Sequence, residues 1–310
     1  MFVLQLVVAL LGILGLAAEM PLPWSRELEL EDPPIHGNDV VITQNLLNRA
    51  AIANGENTIF VDGIYGETTV KSVKQFQVAA IGQGNTDYEP GVVDEATAQV
   101  LLDKYSNDNV IDDGASASDM GDYQYKCSIP VSSNRSIETK GRLFDADNRL
   151  LHEFIVRAHG KRDDNGAYAW PDFGSVPGDV GLNQFTSSGN TPTGVVEVDL
   201  NSPEPNPQVY GPWPVNRIVR GVKGNAAFLL PSIRDGVLMH TGNWTTAEHG
   251  IFDPRTMTMP NSDGCLHLHP EDIERIYREL MSIGVTVNDN PFSGKDYPFK
   301  PQGVAVIYLV

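Results

Sequence analysis

A cysteine and a histidine in the last third of the chain have the residue types needed for thiol chemistry. His240 follows a short apolar run, Gly236 to Met239, that fits a buried strand, and Cys265 comes 25 positions later (265 − 240). The thiolate is the attacking species, and a free thiol, with a pKa of roughly 8.5, needs a nearby imidazole or backbone N–H dipoles to ionise near neutral pH. The pair therefore predicts a nucleophile and its base.

The residues before the cysteine suit a tight turn that approaches a substrate closely. Gly264 allows that approach and leaves the N–H of Cys265 to face an oxyanion, and we expect both backbone N–H groups of this turn to stabilise the developing charge. Ser262 and Asp263 are expected to orient the turn through bonds from side chain to backbone.

Three more residues near the pair are expected to contact the substrate or to orient the catalytic groups. Thr241 follows the expected base directly, and His267 and His269 lie just after the cysteine. Because the two histidines are two positions apart, they would share a face of an extended segment and could tune the thiol. His249 is a competing base, nearer to the cysteine in the sequence, but no apolar run precedes it.

Strand patterns position this chemistry. From Gln124 onward the chain has short runs rich in Val, Ile and Phe, separated by Gly, Pro, Asn and Asp. The predicted strands are Tyr125 to Val131, Ser136 to Phe144, Leu150 to Arg157, Val195 to Leu200, Ala226 to Leu230, Val237 to His240 and Val304 to Leu309. A helix is predicted over Glu271 to Ser282. The pattern predicts a mainly β domain, a sandwich or barrel, over 124–310, with Cys127 in its core.

Residues 38–105 have helical periodicity instead. Three apolar stripes at helical spacing predict a small all-α module of three helices, with Asp94 as the N-cap of the third. The turn Asp62 to Gly66 separates the first two helices, and its glycines permit positive φ. Before this module, residues 1–18 are predicted to be a secretory signal peptide and 19–37 an extended lead-in; 106–123 is predicted to be a linker.

Two motifs resemble those of the L,D-transpeptidases, which cross-link bacterial peptidoglycan through a cysteine acyl-enzyme. Ser262-Asp263-Gly264-Cys265-Leu266-His267 is similar to the family's Ser-His-Gly-Cys-aliphatic-Arg or -Asn, and Thr191-Pro192-Thr193-Gly194 matches its Thr-Pro-Thr-Gly before a strand. The sequence departs from the family where Asp263 replaces the usual His, where His267 replaces the usual Arg or Asn, and in a longer gap between His240 and Cys265. The first two departures change the electrostatics around the thiol.

The helical module resembles the three-helix peptidoglycan-binding module of many cell-wall enzymes. The resemblance rests on the order and spacing of a turn and the helix after it. The residues it implies for wall binding are Asp62, Gly63, Gly66, Thr69 and Phe76. Each of them alone is equally explained as a turn former or a core residue.

Together the resemblances imply a secreted or cell-envelope transferase that acts on peptidoglycan stem peptides, with L,D-carboxypeptidase activity when water is the acceptor. The formal net charge of −18 argues against a nucleic-acid partner. No cofactor, no metal and no membrane span after signal cleavage are expected. Two alternatives stay open: a zinc-dependent peptidoglycan peptidase using His240, His249, His267, His269, Asp253 and Asp263, and a non-catalytic peptidoglycan-binding protein.

Overall fold

A computed structural model describes residues 19–161, 181–243 and 258–310. Within these ranges the chain forms a helical region followed by a closed eight-stranded β-barrel. The predicted signal peptide, 1–18, lies outside the described residues. In the described ranges no helix has both the length and the apolar character needed to cross a membrane.

The three predicted helices of the amino-terminal region are confirmed. They are α1 (Asn38–Asn54), α2 (Glu67–Ala80) and α3 (Glu95–Tyr105). Asp94 caps α3, because its side chain accepts the N–H of Thr97, as expected for an acidic N-cap. The apolar stripes of all three helices face one another, and the side chain of Phe76 packs edge-on against Tyr105.

Two buried glutamines organise the loops of this region in the same way. The amide of Gln44, on α1, accepts the N–H of Gly63 at 2.9 Å and donates to the hydroxyl of Thr69 at 3.1 Å. The amide of Gln77, on α2, accepts the N–H of Gly91 at 2.9 Å and donates to the hydroxyl of Thr97 at 2.9 Å. Each helix therefore carries the side chain that shapes the entrance to the next helix.

The segments before and after these helices are packed rather than free. In the lead-in, the buried Trp24 donates its indole N–H to Thr43 at 2.9 Å. In the predicted linker, Val110 is buried and a one-turn helix, α4 (Ala117–Met120), begins with a capping box from Ser116. The boundaries predicted for the domains stay predictions.

The barrel is built from short strands that alternate between inward and outward side chains. They are β1 (Tyr125–Val131), β2 (Thr139–Asp145), β3 (Leu150–Arg157), β4 (Gly194–Asn201), β5 (Val215–Lys223), β6 (Leu238–His240), β7 (Leu266–Leu268) and β8 (Gly303–Leu309). Their order around the barrel is β1-β2-β3-β7-β6-β5-β4-β8. The pairs β1–β8 and β6–β7 are parallel and the others antiparallel. The fold class is therefore a barrel, one of the two predicted β architectures.

The barrel interior contains apolar residues from both of the strands that carry the predicted site. Met239 of β6 and Leu266 of β7 are fully buried and belong to the main apolar core. Because neighbouring side chains of a strand point to opposite faces, the residues on either side of these two face outward. Outside the barrel, α7 (Pro270–Ser282) packs on β3 through Ile273, Ile276 and Leu280, close to the predicted helix.

One predicted strand is wrong. Residues Ala226 to Leu230 form a one-turn helix, α6 (Ala226–Leu229), and not a strand. A short apolar run does not distinguish a buried strand from a buried helical turn, and two alanines favour the helix. The backbone N–H of Ala226 donates to the carbonyl of Thr193 at 2.8 Å, which holds this turn beside β4.

Besides α4, two strands and a further helical turn escaped sequence reasoning. The strand β5 contains the polar residues Asn216 and Arg217, whose side chains are buried. Its sequence therefore lacks the apolar pattern expected of a buried strand. Nη2 of the arginine donates to Glu204 at 2.5 Å and Asn290 at 2.7 Å, which come from other segments of the chain. The strand β7 has three residues, too few for a periodic signal. The turn α5 (Pro207–Tyr210) was also not predicted.

Candidate active site

The predicted nucleophile lies immediately before β7. Cys265 is only 8% exposed, and its side chain packs with Val215 and Leu238, with Tyr210 partly covering this group. The backbone N–H of Leu238 points at the sulfur, with 3.4 Å between N and Sγ, and the thiol lies 3.7 Å from the carbonyl oxygen of Gly236. Both cysteines of the chain are free thiols, and Cys127 lies in the barrel core as predicted.

The thiol is protonated at rest. Burial raises the pKa of Cys265 to about 11, while the N–H of Leu238 opposes that change. The carboxylate of Asp263 raises the thiol pKa further, and the cations Arg234 and Arg217 lower it. A thiol in this state must lose its proton to a base as it attacks a carbonyl, because the thiolate is the nucleophile.

The predicted base ends β6, and a backbone carbonyl orients it. His240 is 2% exposed, and its Nδ1 lies 2.6 Å from the carbonyl oxygen of Thr241. A carbonyl only accepts, so Nδ1 carries the proton and Nε2 is the basic nitrogen. Burial lowers the pKa of His240 to about 4, and the bond to Thr241 offsets this in part. The expected orienting partner of the base is therefore found, in a residue predicted to lie at the site.

The strand register places the two catalytic candidates on one face. In the parallel pair β6–β7, Met239 is opposite Leu266 and His240 is opposite His267. Cys265 precedes this pairing and lies opposite Leu238 by continuation of the same register. His240 and Cys265 are thus diagonal neighbours on the outer face of the barrel. The sulfur's hydrogen bonds to the described residues go to the backbone of β6 and its approach, not to the imidazole.

The second histidine of the face supports the first. The ring of His267 stands edge-on to the ring of His240, with 4.7 Å between centroids. Its Nδ1 donates to the carbonyl of Pro260 at 2.8 Å. Burial, and then the neighbouring His240, hold the pKa of His267 well below its usual value. The two neutral rings therefore pack against each other, and the hydrogen bond from each Nδ1 to a backbone carbonyl fixes the ring orientation.

The turn before the cysteine is fixed by side-chain to backbone bonds, as predicted for Ser262. Its hydroxyl donates to the carbonyl of Cys265 at 2.7 Å and accepts the N–H of Gly264 at 3.0 Å. The N–H of Gly264 is therefore engaged within the turn, and the oxyanion role expected for the N–H groups of this turn stays a prediction. Gly264 itself has φ +102°, in the region that favours glycine.

The Thr-Pro-Thr-Gly motif lies against the same turn. The hydroxyl of Thr191 donates to the carbonyl of Gly264 at 2.9 Å. Gly194 opens β4, as expected for a motif that precedes a strand. The hydroxyl of Thr193 points the other way and donates to Asp108 at 2.8 Å. The two motifs found in the sequence thus meet through backbone carbonyls.

Asp263, which departs from the family pattern, lies at the rim of the site. About half of its side chain is exposed, and its carboxylate pairs with Lys161 at 3.4 Å. Its backbone carbonyl points inward and accepts a hydrogen bond from Arg234 at 3.2 Å. Arg234 was not found by sequence reasoning, because an arginine between Ile233 and Asp235 has no pattern that distinguishes it from a surface residue.

The residues proposed for wall binding do not form one surface. Thr69 and Phe76 are buried, and Thr69 is bound to Gln44. Asp62 is exposed, although its carboxylate accepts the amide of Gln44 at 2.8 Å, and these bonds hold its pKa below the usual value. Gly63 is buried and Gly66 half-buried at the N-cap of α2. A direct contact with the wall stays a prediction for this set.

Some predicted residues cannot be placed. His249, the competing base, and Asp253, a proposed zinc ligand, lie outside the described residues. Within the described ranges, His240, His267, His269 and Asp263 do not come together with other His, Cys, Asp or Glu residues in a group that could hold a metal ion.

The geometry is that of a thiol site carried on a β-barrel, and comparison with known proteins identifies its family resemblance. Residues 154–289, which contain His240 and Cys265, match the family model described as the L,D-transpeptidase catalytic domain, YkuD. The resemblance to this family is thereby confirmed over residues 154–289. No curated protein matches the chain. Among solved structures, an L,D-transpeptidase (Yku) from Stackebrandtia nassauensis is 15% identical, with 88% of this chain and 92% of that chain covered and a TM-score of 0.28.

Proposed function

We propose that the protein is a cysteine L,D-transpeptidase that acts on peptidoglycan stem peptides. The observation that carries the proposal is the shared outer face of β6 and β7, where Cys265 and an oriented, neutral His240 lie on adjacent strands. The family match over 154–289 supplies the substrate class. Secretion to the cell envelope and wall binding by the helical region belong to the proposal as well.

The first half-reaction transfers an acyl group to the enzyme. Nε2 of His240 takes the thiol proton, and the sulfur of Cys265 forms a bond to the stem carbonyl that links an L-centre to a D-centre. The N–H of Cys265 stabilises the oxyanion of the tetrahedral intermediate. The bond from this carbon to the nitrogen of the terminal D-residue breaks, and the proton on His240 leaves with that amine. A thioester remains.

The second half-reaction regenerates the thiol. A side-chain amine of another stem attacks the thioester carbon, His240 accepts its proton, and the carbon–sulfur bond breaks as the proton returns to the thiolate. The product is a cross-link between two stems. Water in place of the amine gives a shortened stem, which is carboxypeptidase activity.

Intact mass measured after incubation with a tetrapeptide stem tests the proposal. The native protein should gain the mass of a tripeptide acyl group, and Cys265→Ala should not. Cys127→Ala is the matched control, since it removes the other thiol, which lies inside the barrel core and should leave the adduct in place. An adduct on Cys265→Ala would refute the mechanism.

The buried thiol favours one competing function, a non-catalytic peptidoglycan-binding protein. A pKa of about 11 and a carboxylate beside the thiol both oppose formation of the thiolate. Binding of the native protein to isolated cell wall, without adduct or product from any stem, would favour this alternative. Product that disappears on addition of a chelator would instead favour the zinc peptidase.

A further inference from the structure

A buried arginine donates hydrogen bonds to the two backbone segments that surround the nucleophile. Arg234 is 3% exposed and lies in the loop before β6. Its guanidinium nitrogens donate to the carbonyls of Gln184 at 2.9 Å, Gly189 at 2.8 Å, Asn190 at 2.5 Å and Asp263 at 3.2 Å. One side chain therefore joins the segment that leads into the Thr-Pro-Thr-Gly motif to the turn that presents the cysteine.

This cation is held by dipoles. Its hydrogen-bond partners among the described residues are backbone carbonyl oxygens, and burial lowers the pKa of Arg234 to about 10, so it stays charged near neutral pH. Burying a cation is unfavourable unless its surroundings compensate it well. Four carbonyls aimed at Nη1 and Nη2 supply part of that compensation, while Nε has no hydrogen-bond partner among the described residues. The planar guanidinium suits such a fork, which an ammonium does not reproduce.

The arginine and the glycine before the nucleophile occupy complementary space. A Cβ atom at position 264 would overlap Nη2 of Arg234. The peptide between Asp263 and Gly264 is therefore held on one side by the arginine and on the other by the hydroxyl of Ser262, which accepts the N–H of Gly264. Both ends of the peptide that precedes Cys265 are fixed.

We propose that Arg234 is a positioning residue for acyl transfer: it clamps the Asp263–Gly264 peptide to segment 184–190 and so fixes the direction of the Cys265 thiol. The inference rests on the proposed function, because it assigns the clamp a part in thioester formation. The guanidinium also lies near enough to the sulfur to favour the thiolate. Its two properties, planar shape and charge, should therefore affect different measurements.

Two substitutions separate these properties. Arg234→Lys keeps the charge and loses the fork, so the rate of acylation by a tetrapeptide stem should fall at least about tenfold, with KM little changed, because a small misplacement of a reacting group is costly. Arg234→Gln loses the charge, so the apparent pKa of the thiol should rise. Alkylation of Cys265 by iodoacetamide at pH 9 should then fall by about threefold or more.

Arg135 is the matched control. It is 6% exposed, burial lowers its pKa to about 10 as well, and it too donates to backbone carbonyls, those of Ala158 and Thr191. Arg135→Lys and Arg135→Gln should leave the pH profile of alkylation within about twofold of the native protein. If both pairs of variants change alkylation and acylation alike, Arg234 has a general structural role and the proposal is overturned.

Failure of the proposed function gives a different result. If the native protein forms no acyl adduct with any stem, acyl transfer fails while alkylation of Cys265 is still measurable. In that case the proposal is overturned if Arg234→Gln leaves the alkylation profile unchanged, and its electrostatic part is supported if only Arg234→Gln, not Arg135→Gln, moves the profile to higher pH. Should Arg234→Gln not fold, Arg234→Met, which also removes the charge, takes its place in the alkylation profile, and where the native protein forms the adduct, the acylation rate of Arg234→Lys against that of Arg135→Lys tests the fork.

Discussion

Leu238 donates its backbone N–H to the sulfur of Cys265 at 3.4 Å, so the strand that ends in the base also holds the nucleophile. This bond favours the thiolate, yet burial outweighs it and leaves the thiol pKa near 11. With the base also neutral, the resting site is an uncharged thiol and imidazole. Proton transfer has to accompany attack on the substrate.

Alkylation kinetics test this resting state. The rate of modification of Cys265 by iodoacetamide should rise about tenfold per pH unit between pH 7 and 10, since the thiolate fraction does so below its pKa. Peptide mapping would follow Cys265 separately from Cys127, which lies in the barrel core. A plateau near neutral pH would show a preformed thiolate–imidazolium pair and contradict the prediction.

Asp263→Asn should make the thiol more reactive. Its carboxylate raises the pKa of Cys265, so removing the charge should lower that pKa and raise alkylation at pH 9 by about two- to fivefold. The control is Asp147→Asn, at an exposed residue in the turn between β2 and β3. This turn lies at the start of β3, whereas β7 pairs with the other end of β3, at Arg157. Equal rates for the two variants would mean that Asp263 does not influence the thiol.

Gly264→Ala should be more damaging than a left-handed glycine alone explains. The new Cβ would overlap Nη2 of Arg234, and the alanine would have to adopt a positive φ. Together these should lower the free energy of unfolding by about 3 kcal/mol or more. Gly284→Ala, at φ +91° with open space around it, should cost only about 1–2 kcal/mol. Chemical denaturation measures both, and equal losses would show that the overlap relaxes without cost.

Acid should destabilise the protein through His240. Its pKa is about 4 in the fold against 6.5 unperturbed, so the folded state favours the neutral ring. That contribution, about 3 kcal/mol, is present above pH 6.5 and is lost as the pH falls toward 4, because the unfolded chain binds the proton first. The free energy of unfolding of His240→Asn should therefore vary less over this range. His36→Asn, at an exposed histidine, should keep the native slope; a native slope in both would contradict the assignment.

Sequence reasoning found the elements that carry the chemistry. Strand patterns located β1, β3 and β6, and the glycine before Cys265 indicated a turn that the structure contains. These signals are local, since they depend on periodicity and on one residue's conformational freedom. The family motifs added the order of the two segments but not the carbonyl contacts through which Thr191 meets Gly264.

The remaining features depend on contacts between distant segments. Arg234 has no local signature, and its four carbonyl partners come from two separate segments. The strand β5 was missed because its buried Arg217 has its hydrogen-bond partners, Glu204 and Asn290, in other segments of the chain. The depth of the thiol likewise follows from the packing of several elements, which periodicity does not report.

The buried glutamines Gln44 and Gln77, each of which bonds the loop and the helix that follow it, limit where the chain can be cut into fragments for expression. A fragment ending at Ala80 would keep Gln77 but lose Gly91 and Thr97, leaving a buried amide with no loop to bind. A fragment ending after α3 would keep the hydrogen bonds of both glutamines, yet Arg49 would lose its bond to Asn225, 2.7 Å away in the barrel region. Each shorter fragment therefore leaves polar groups without the partners they have in the full chain. Solubility trials should begin with the longest fragment.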